Sequence, residues 1–167
     1  MITAFKGNLL DSDCDYICHQ VNCQGRMASG IAKAIRDKWP VVYTEYANKY
    51  KETQDEIWRD CGSFEFIPDP SGVLLGQIQL IDVSKKQCVI NMFAQQFYGY
   101  DGKRYTSYDA FWGCLGLIKQ SVPKGSSIGF PYKIGCGLGG ANWRVIHAMI
   151  EEVLDEDYDV RIYKLEE

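Results

Sequence analysis

The sequence predicts an α/β protein, a three-layer α/β/α sandwich around a mixed, mostly parallel sheet. Three observations carry that expectation. Strand-length apolar segments alternate with segments of helical periodicity along the chain. The strands read as buried on both faces, which requires helices above and below the sheet. The 167 residues, 46% hydrophobic and 24% charged, suffice for one domain, 1–167, with a substantial core.

Each element follows from local chemistry. Ile2 to Lys6 is a short first strand closed by Gly7-Asn8, and Asp15 to Val21 (DYICHQV) is a buried second strand. The loop Asn22 to Gly30 leads into a helix with Ile31, Ala32, Ile35 and Trp39 at helical spacing. Pro40 ends that helix and suits the first position of the next, which presents Val42, Tyr43, Tyr46 and Tyr50. Lys51 to Gly72 holds Cys61-Gly62 and a Pro68-Asp-Pro-Ser-Gly72 turn, and reads as an excursion or edge hairpin. Strands resume at Leu74 to Val83 and Gln87 to Ala94. Thr106-x-x-Asp109 resembles a capping box opening a helix with Tyr108, Phe111, Trp112, Leu115 and Ile118 inward. Ser127 to Pro131 is a strand. Asn142 caps a last helix with the stripe Val145, Ile146, Met149, Ile150, Val153 and Leu154, and Asp159 to Leu165 alternates as the final strand.

Composition narrows the function. A net charge of −4 argues against general nucleic-acid binding; the clusters Lys33-Arg36-Lys38 and Lys49-Lys51 suit solvated helix faces. No apolar run approaches the roughly 20 residues that cross a bilayer. The opening residues lack a basic-then-apolar leader, so the expectation is a cytoplasmic protein without a membrane partner. Seven scattered cysteines with no CxxC fit reduced thiols. Cys14, Cys18, His19 and Cys23 look like a ligand cluster, but alternation along a strand sends Cys18 and His19 to opposite faces, so no metal and no cofactor is expected.

In such sheets ligands bind beyond the carboxyl ends of the strands, and two loops there stand out. The first, Asn22 to Ala32, runs from strand to helix. Its small residues Ala28, Ser29 and Gly30 permit close approach, and a helix start offers free N–H groups to an anion. The second, Ile134 to Asn142, has four glycines in the six positions 135–140, enough for successive amides to turn inward as an anion nest. Its GxGxxG-like spacing lies too near the C-terminus for a Rossmann enzyme. Either loop alone is also an ordinary connection; together they make a diphosphate clamp.

These features resemble the macrodomain family over nearly the whole chain. Lys6-Gly-Asn-Leu-Leu10 is similar to the family's first strand and following turn, Asp15 to Asn22 to its second strand ending in a functional Asn, and Gly30-Ile-Ala32 to its distal-ribose loop. Phe130-Pro131 with Gly135-Cys-Gly-Leu138 resembles the phosphate loop. The run Ile134 to Leu138 with Trp143 is most similar to the branch of terminal ADP-ribose protein glycohydrolases and ADP-ribose 1″-phosphate phosphatases. The resemblance implies ADP-ribose, or an ADP-ribosylated molecule, as the partner and fixes no oligomeric state. Asn8 and Leu9 would meet the adenine. Asn22, Met27, Ser29, Gly30 and Ile31 would line the distal ribose and phosphates. Gly135, Cys136, Gly137, Leu138, Gly139 and Gly140 would wrap the diphosphate, and Ala28, Pro131 and Asn142 are further candidate ligand-binding residues.

The sequence departs from that branch where chemistry is concerned. The family's adenine-recognising Asp is Asn8, whose amide oxygen still accepts but without charge. The Lys nucleophile expected at the end of the strand aligned with Ile90 to Gln95 is absent, the sequence there being Asn91-Met-Phe-Ala-Gln-Gln96, and Gly139 stands where an Asp is expected, so no Schiff base with an opened ribose is expected. Three readings follow. One is hydrolysis of a phosphate or ester at the distal ribose, with Asn22 and Gln24 positioning water and His19 as the tempting acid or base. The second is a non-catalytic ADP-ribose reader. The third is a scaffold of this shape for another nucleotide or a protein, with Phe97 to Tyr105 as a lid or a packed loop. His147 reads as solvated. Cys136, among amides expected to lower its pKa, is the weaker nucleophile candidate because its thiolate would repel phosphate.

Overall fold

A computed structural model describes residues 2–61 and 67–166. Six strands, β1 (Ile2–Lys6), β2 (Tyr16–Asn22), β3 (Ile78–Asp82), β4 (Cys88–Gln95), β5 (Ser127–Pro131) and β6 (Asp159–Lys164), form one sheet in the order β1-β6-β5-β2-β4-β3. All neighbours are parallel except β3, which runs antiparallel to β4 at the edge. The predicted architecture holds.

The pleat sorts the central strands into two cores. Ile17 and Val21 of β2, with Val89 and Phe93 of β4, pack under α1 (Gly30–Lys38) and α2 (Pro40–Cys61). Cys18 of β2, with Ile90, Met92 and Ala94 of β4, packs under α4 (Tyr108–Ser121) and α5 (Trp143–Leu154). Period-two alternation of side chains across a pleated strand is the physical reason. It also separates the cysteines: Cys14 and Cys23 belong to the first core and Cys18 to the second.

This topology creates the crevice. β2 and β5 are neighbours, yet the chain leaves β2 into α1 on one face and leaves β5 into α5 on the other. The two loops therefore diverge at the carboxyl ends of adjacent parallel strands, the geometry that opens ligand sites in such sheets.

Local expectations need four corrections. The helix after Pro40 does not stop near Tyr50: α2 continues to Cys61, its inner stripe extended by buried Thr53, so the excursion is shorter than expected and part of it falls on residues 62–66, outside those described. A short helix, α3 (Ser71–Leu74), occupies the start of the expected Leu74 strand, and pairing begins only at Ile78. Ser107 caps α4, its hydroxyl accepting from Ala110 N at 3.1 Å, because Thr106 is engaged elsewhere. Trp112 points out and is 47% exposed; Ala110 and Cys114 fill the inner face instead. Asn142 caps α5, accepting from Arg144 N at 2.9 Å.

Candidate functional site

Across the strand ends lies a cleft of about 900 Å³. Its walls are the two divergent loops, Ala28 to Ala32 on one side and Ile134 to Gly139 on the other, with Gln20, Asn22 and Gln95 from β2 and β4 between them. One end is built by Asn8, Leu9 and Leu10 after β1 with Tyr132 and Lys164; Arg26 and Tyr98 close the other.

The glycine-rich wall is a set of nested turns. Ile134 N donates to Pro131 O (3.0 Å), Cys136 N to Lys133 O (2.9 Å), Gly140 N to Gly137 O (3.1 Å) and Ala141 N to Gly135 O (3.0 Å). Gly135 and Gly140 make the bends at φ 74° and 70°, a region where a Cβ is strained. The amides of Gly137, Leu138 and Gly139 donate to no protein acceptor among the described residues, and all three residues face the cleft. Unsatisfied N–H groups gathered in a concave bend are an anion site.

Three residues that sequence reasoning missed hold this wall in place. Gln20 Nε2 donates to Gln95 Oε1 and to Thr106 Oγ1, both at 2.8 Å, and the Thr106 hydroxyl donates to Gly135 O at 2.8 Å. Tyr105 N and Thr106 N both donate to Gly139 O (2.9 and 3.0 Å). The contacts span up to 86 positions along the chain, and no local signal announces them.

The facing wall is the start of α1. The 3-10 turn Leu9–Asp11, α4 and α5 each have a capping side chain, whereas Ser29 makes no cap bond at α1. The first-turn amides of α1 thus open on the cleft with the positive end of the helix dipole behind them. Charge agrees. The cleft lining contains Arg26, Lys133 and Lys164 and, among the described residues, no carboxylate, although the chain as a whole carries −4.

Asn22 lies at the floor but its polar atoms are largely engaged. Its Oδ1 accepts from Gln24 N (2.9 Å) and the Tyr46 hydroxyl (2.8 Å), and its Nδ2 donates to Arg26 O (2.8 Å). It therefore shapes the 22–26 turn from within. Tyr46→Phe removes the buried hydroxyl that also reaches Asn22 O at 2.7 Å. Urea unfolding is expected to show a loss of about 1–2 kcal/mol, and loosening of the turn is expected to weaken ligand binding.

Of the residues nominated from sequence, Asn8, Leu9, Asn22, Ala28, Ser29, Gly30, Ile31, Pro131, Gly135, Gly137, Leu138 and Gly139 line the cleft. Asn8 Oδ1, nominated as the adenine acceptor, already takes Leu10 N (3.0 Å), leaving its Nδ2 uncommitted. Gln24, Met27, Cys136, Gly140 and Asn142 do not line it. Gln24 turns its amide to Gln96 O, Met27 is buried, Gly140 packs against Lys103 and Arg104, and Asn142 is spent on its cap.

Two reactive candidates give way to packing. His19 is fully buried, outside the cleft, and bonds through Nε2 to Asn91 Oδ1 while Asn91 Nδ2 donates to Gln79 Oε1 (3.1 Å). That chain makes Nε2 the proton-bearing nitrogen and leaves Nδ1 buried without a partner. Burial lowers its pKa to about 4, against the weaker opposing effect of Asn91. Cys136 turns its sulfur to Ile134 O (3.4 Å), and burial raises its thiol pKa despite Lys133, the reverse of the expected activation.

No protein-family model and no curated protein matches the sequence. Solved structures do. A protein of unknown function from Bacteroides thetaiotaomicron is 26% identical, with a TM-score of 0.77 over 98% of each chain. The macrodomain of Mycobacterium tuberculosis DarG is 21% identical at a TM-score of 0.72, covering 98% of this chain and 97% of that one. A Trypanosoma brucei macrodomain solved in complex with ADP-ribose is 19% identical at 0.62, covering 98% of this chain and 63% of its own. The chain has the macrodomain fold.

Proposed function

We propose that this chain belongs to the macrodomain family and binds ADP-ribose, or a molecule carrying it, in the cleft between the two loops. The observation that carries the reading is that loop amides at Gly137 to Gly139 and the uncapped start of α1 converge on one cavity, the amides without a partner and the cavity without a carboxylate among the described residues. A diphosphate between them satisfies both walls. The base then occupies the end where Leu9, Leu10 and Tyr132 supply apolar surface and Asn8 an amide; the terminal ribose takes the polar end at Asn22, Arg26 and Tyr98. Calorimetry on the isolated protein is expected to give micromolar or tighter binding of ADP-ribose. Absence of heat and of any thermal shift at millimolar ligand refutes the reading.

Binding without turnover is the favoured form. Among the described lining residues there is no histidine, carboxylate or thiol to take a proton from water, and the Asn22 oxygen already accepts three hydrogen bonds. Incubation with ADP-ribose 1″-phosphate, O-acetyl-ADP-ribose and ADP-ribosylated protein is expected to give no product above buffer. Turnover that Asn22→Ala reduces restores the hydrolase reading suggested by likeness to the glycohydrolase and phosphatase branch. Among the described residues no helix is long and apolar enough to cross a membrane, and unpaired thiols favour a reducing compartment such as the cytoplasm.

A further inference from the structure

The base end of the cleft carries more positive charge than a diphosphate held at the other two walls requires. Lys133 Nζ and Lys164 Nζ both lie against the Tyr132 ring, 5.5 and 5.3 Å from its centroid. Both residues line the cleft, and neither ammonium pairs with a carboxylate among the described residues. Gathering two like charges on one ring is unfavourable until an anion arrives.

The platform beneath them is fixed. Tyr132 N donates to Tyr163 O at 2.8 Å, and its ring meets Trp143 edge-on at 5.3 Å. Lys133 holds φ 59°, the one left-handed non-glycine among the described residues, a conformation that L side chains rarely adopt. Its backbone is pinned by the turns on either side, Ile134 N to Pro131 O and Cys136 N to Lys133 O. Lys133 also stands on the same loop as the amide nest, four residues before Gly137.

Resting on the ADP-ribose reading above, we infer that Lys133, Lys164 and Tyr132 form a second anion subsite, which takes a phosphate esterified to the nucleoside ribose. In the proposed pose that ribose lies between the base slot and the nest, and its 2′ or 3′ hydroxyl is the group that faces the lysine pair. The preferred ligand is thus an ADP-ribose bearing a third phosphate.

The test is calorimetric titration of the whole chain with ADP-ribose, with its 2′-phosphate and with its 3′-phosphate, at low and high salt. One phosphorylated form is expected to bind about tenfold more tightly than ADP-ribose at low salt, and the advantage should shrink as salt screens the contact. Which isomer gains identifies the hydroxyl. In a Lys133→Gln/Lys164→Gln variant of unchanged melting temperature, the ratio of the dissociation constants should fall towards one. Binding of ADP-ribose with no gain from either phosphate, or a gain that survives the double substitution, overturns the subsite alone. Failure of all three ligands to bind overturns the ADP-ribose reading, and the subsite with it.

Discussion

Gly137→Val is expected to weaken ADP-ribose binding about 100-fold or more while the melting temperature stays within about 2 °C of the parent. A Cβ added at Gly137 meets nothing within 4 Å and its backbone is not left-handed, so the fold has no reason to object. The residue nevertheless borders the cleft, and a branched side chain there screens the Gly137, Leu138 and Gly139 amides from an anion. Gly139→Ala is the contrasting control. Its Cβ would stand 2.5 Å from Gly135 O and 2.5 Å from Thr106 Oγ1, the atoms that lock the loop. The bend must open, at a cost of about 1–3 kcal/mol, and both binding and stability fall. Paired calorimetry and melting curves separate the two. Parental affinity in Gly137→Val removes the amide nest from the ligand site.

The second large effect concerns acid. The His19 pKa is about 4 in the folded chain and 6.5 when exposed, so the unfolded state binds the proton first. Its contribution to stability is complete above the unfolded pKa and is lost as pH falls from 6.5 through 4, because protonation puts an N–H on Nδ1 where no acceptor waits. The loss amounts to about 3 kcal/mol across that window. Urea unfolding at pH 7.5, 6, 5 and 4 (about the span that matters) should trace it. A His19→Gln variant should show a flatter profile over the same range. Equal slopes in parent and variant would place the acid sensitivity elsewhere.

The features legible in the sequence are local ones. The strands declared themselves through apolar runs such as Val89-Ile90, and Asn142 through its place before an apolar stripe. The glycines of the second loop pointed to inward amides because their spacing is a property of a single bend. The sequence marks α2 as shorter than it is because Lys51 to Cys61 is dominated by polar residues, and the Cys61-Gly62 and proline signals beyond it outweigh a weak stripe. Thr106 and Ser107 both fit a cap; only the neighbouring loop, 29 positions away at Gly135, decides which hydroxyl is free for it. Likewise nothing near Gln20 reveals that its amide braces Gln95 and Thr106. Histidine in a strand could be placed on a face but not assigned a partner, since Asn91 sits on the adjoining strand, 72 positions on.

The departure of the chain to opposite sides of the sheet after β2 and β5 has a mechanical corollary. Each jaw of the cavity is rooted in a different apolar interior, one around Ile35 and Tyr46, the other around Phe111 and Ile146. A missing methyl group deep in either interior lets one jaw settle relative to its counterpart, and the gap between them changes although no residue touching the guest has been altered. Grip is thereby adjustable from behind, and a guest that bridges both jaws in turn braces the two halves of the molecule against each other.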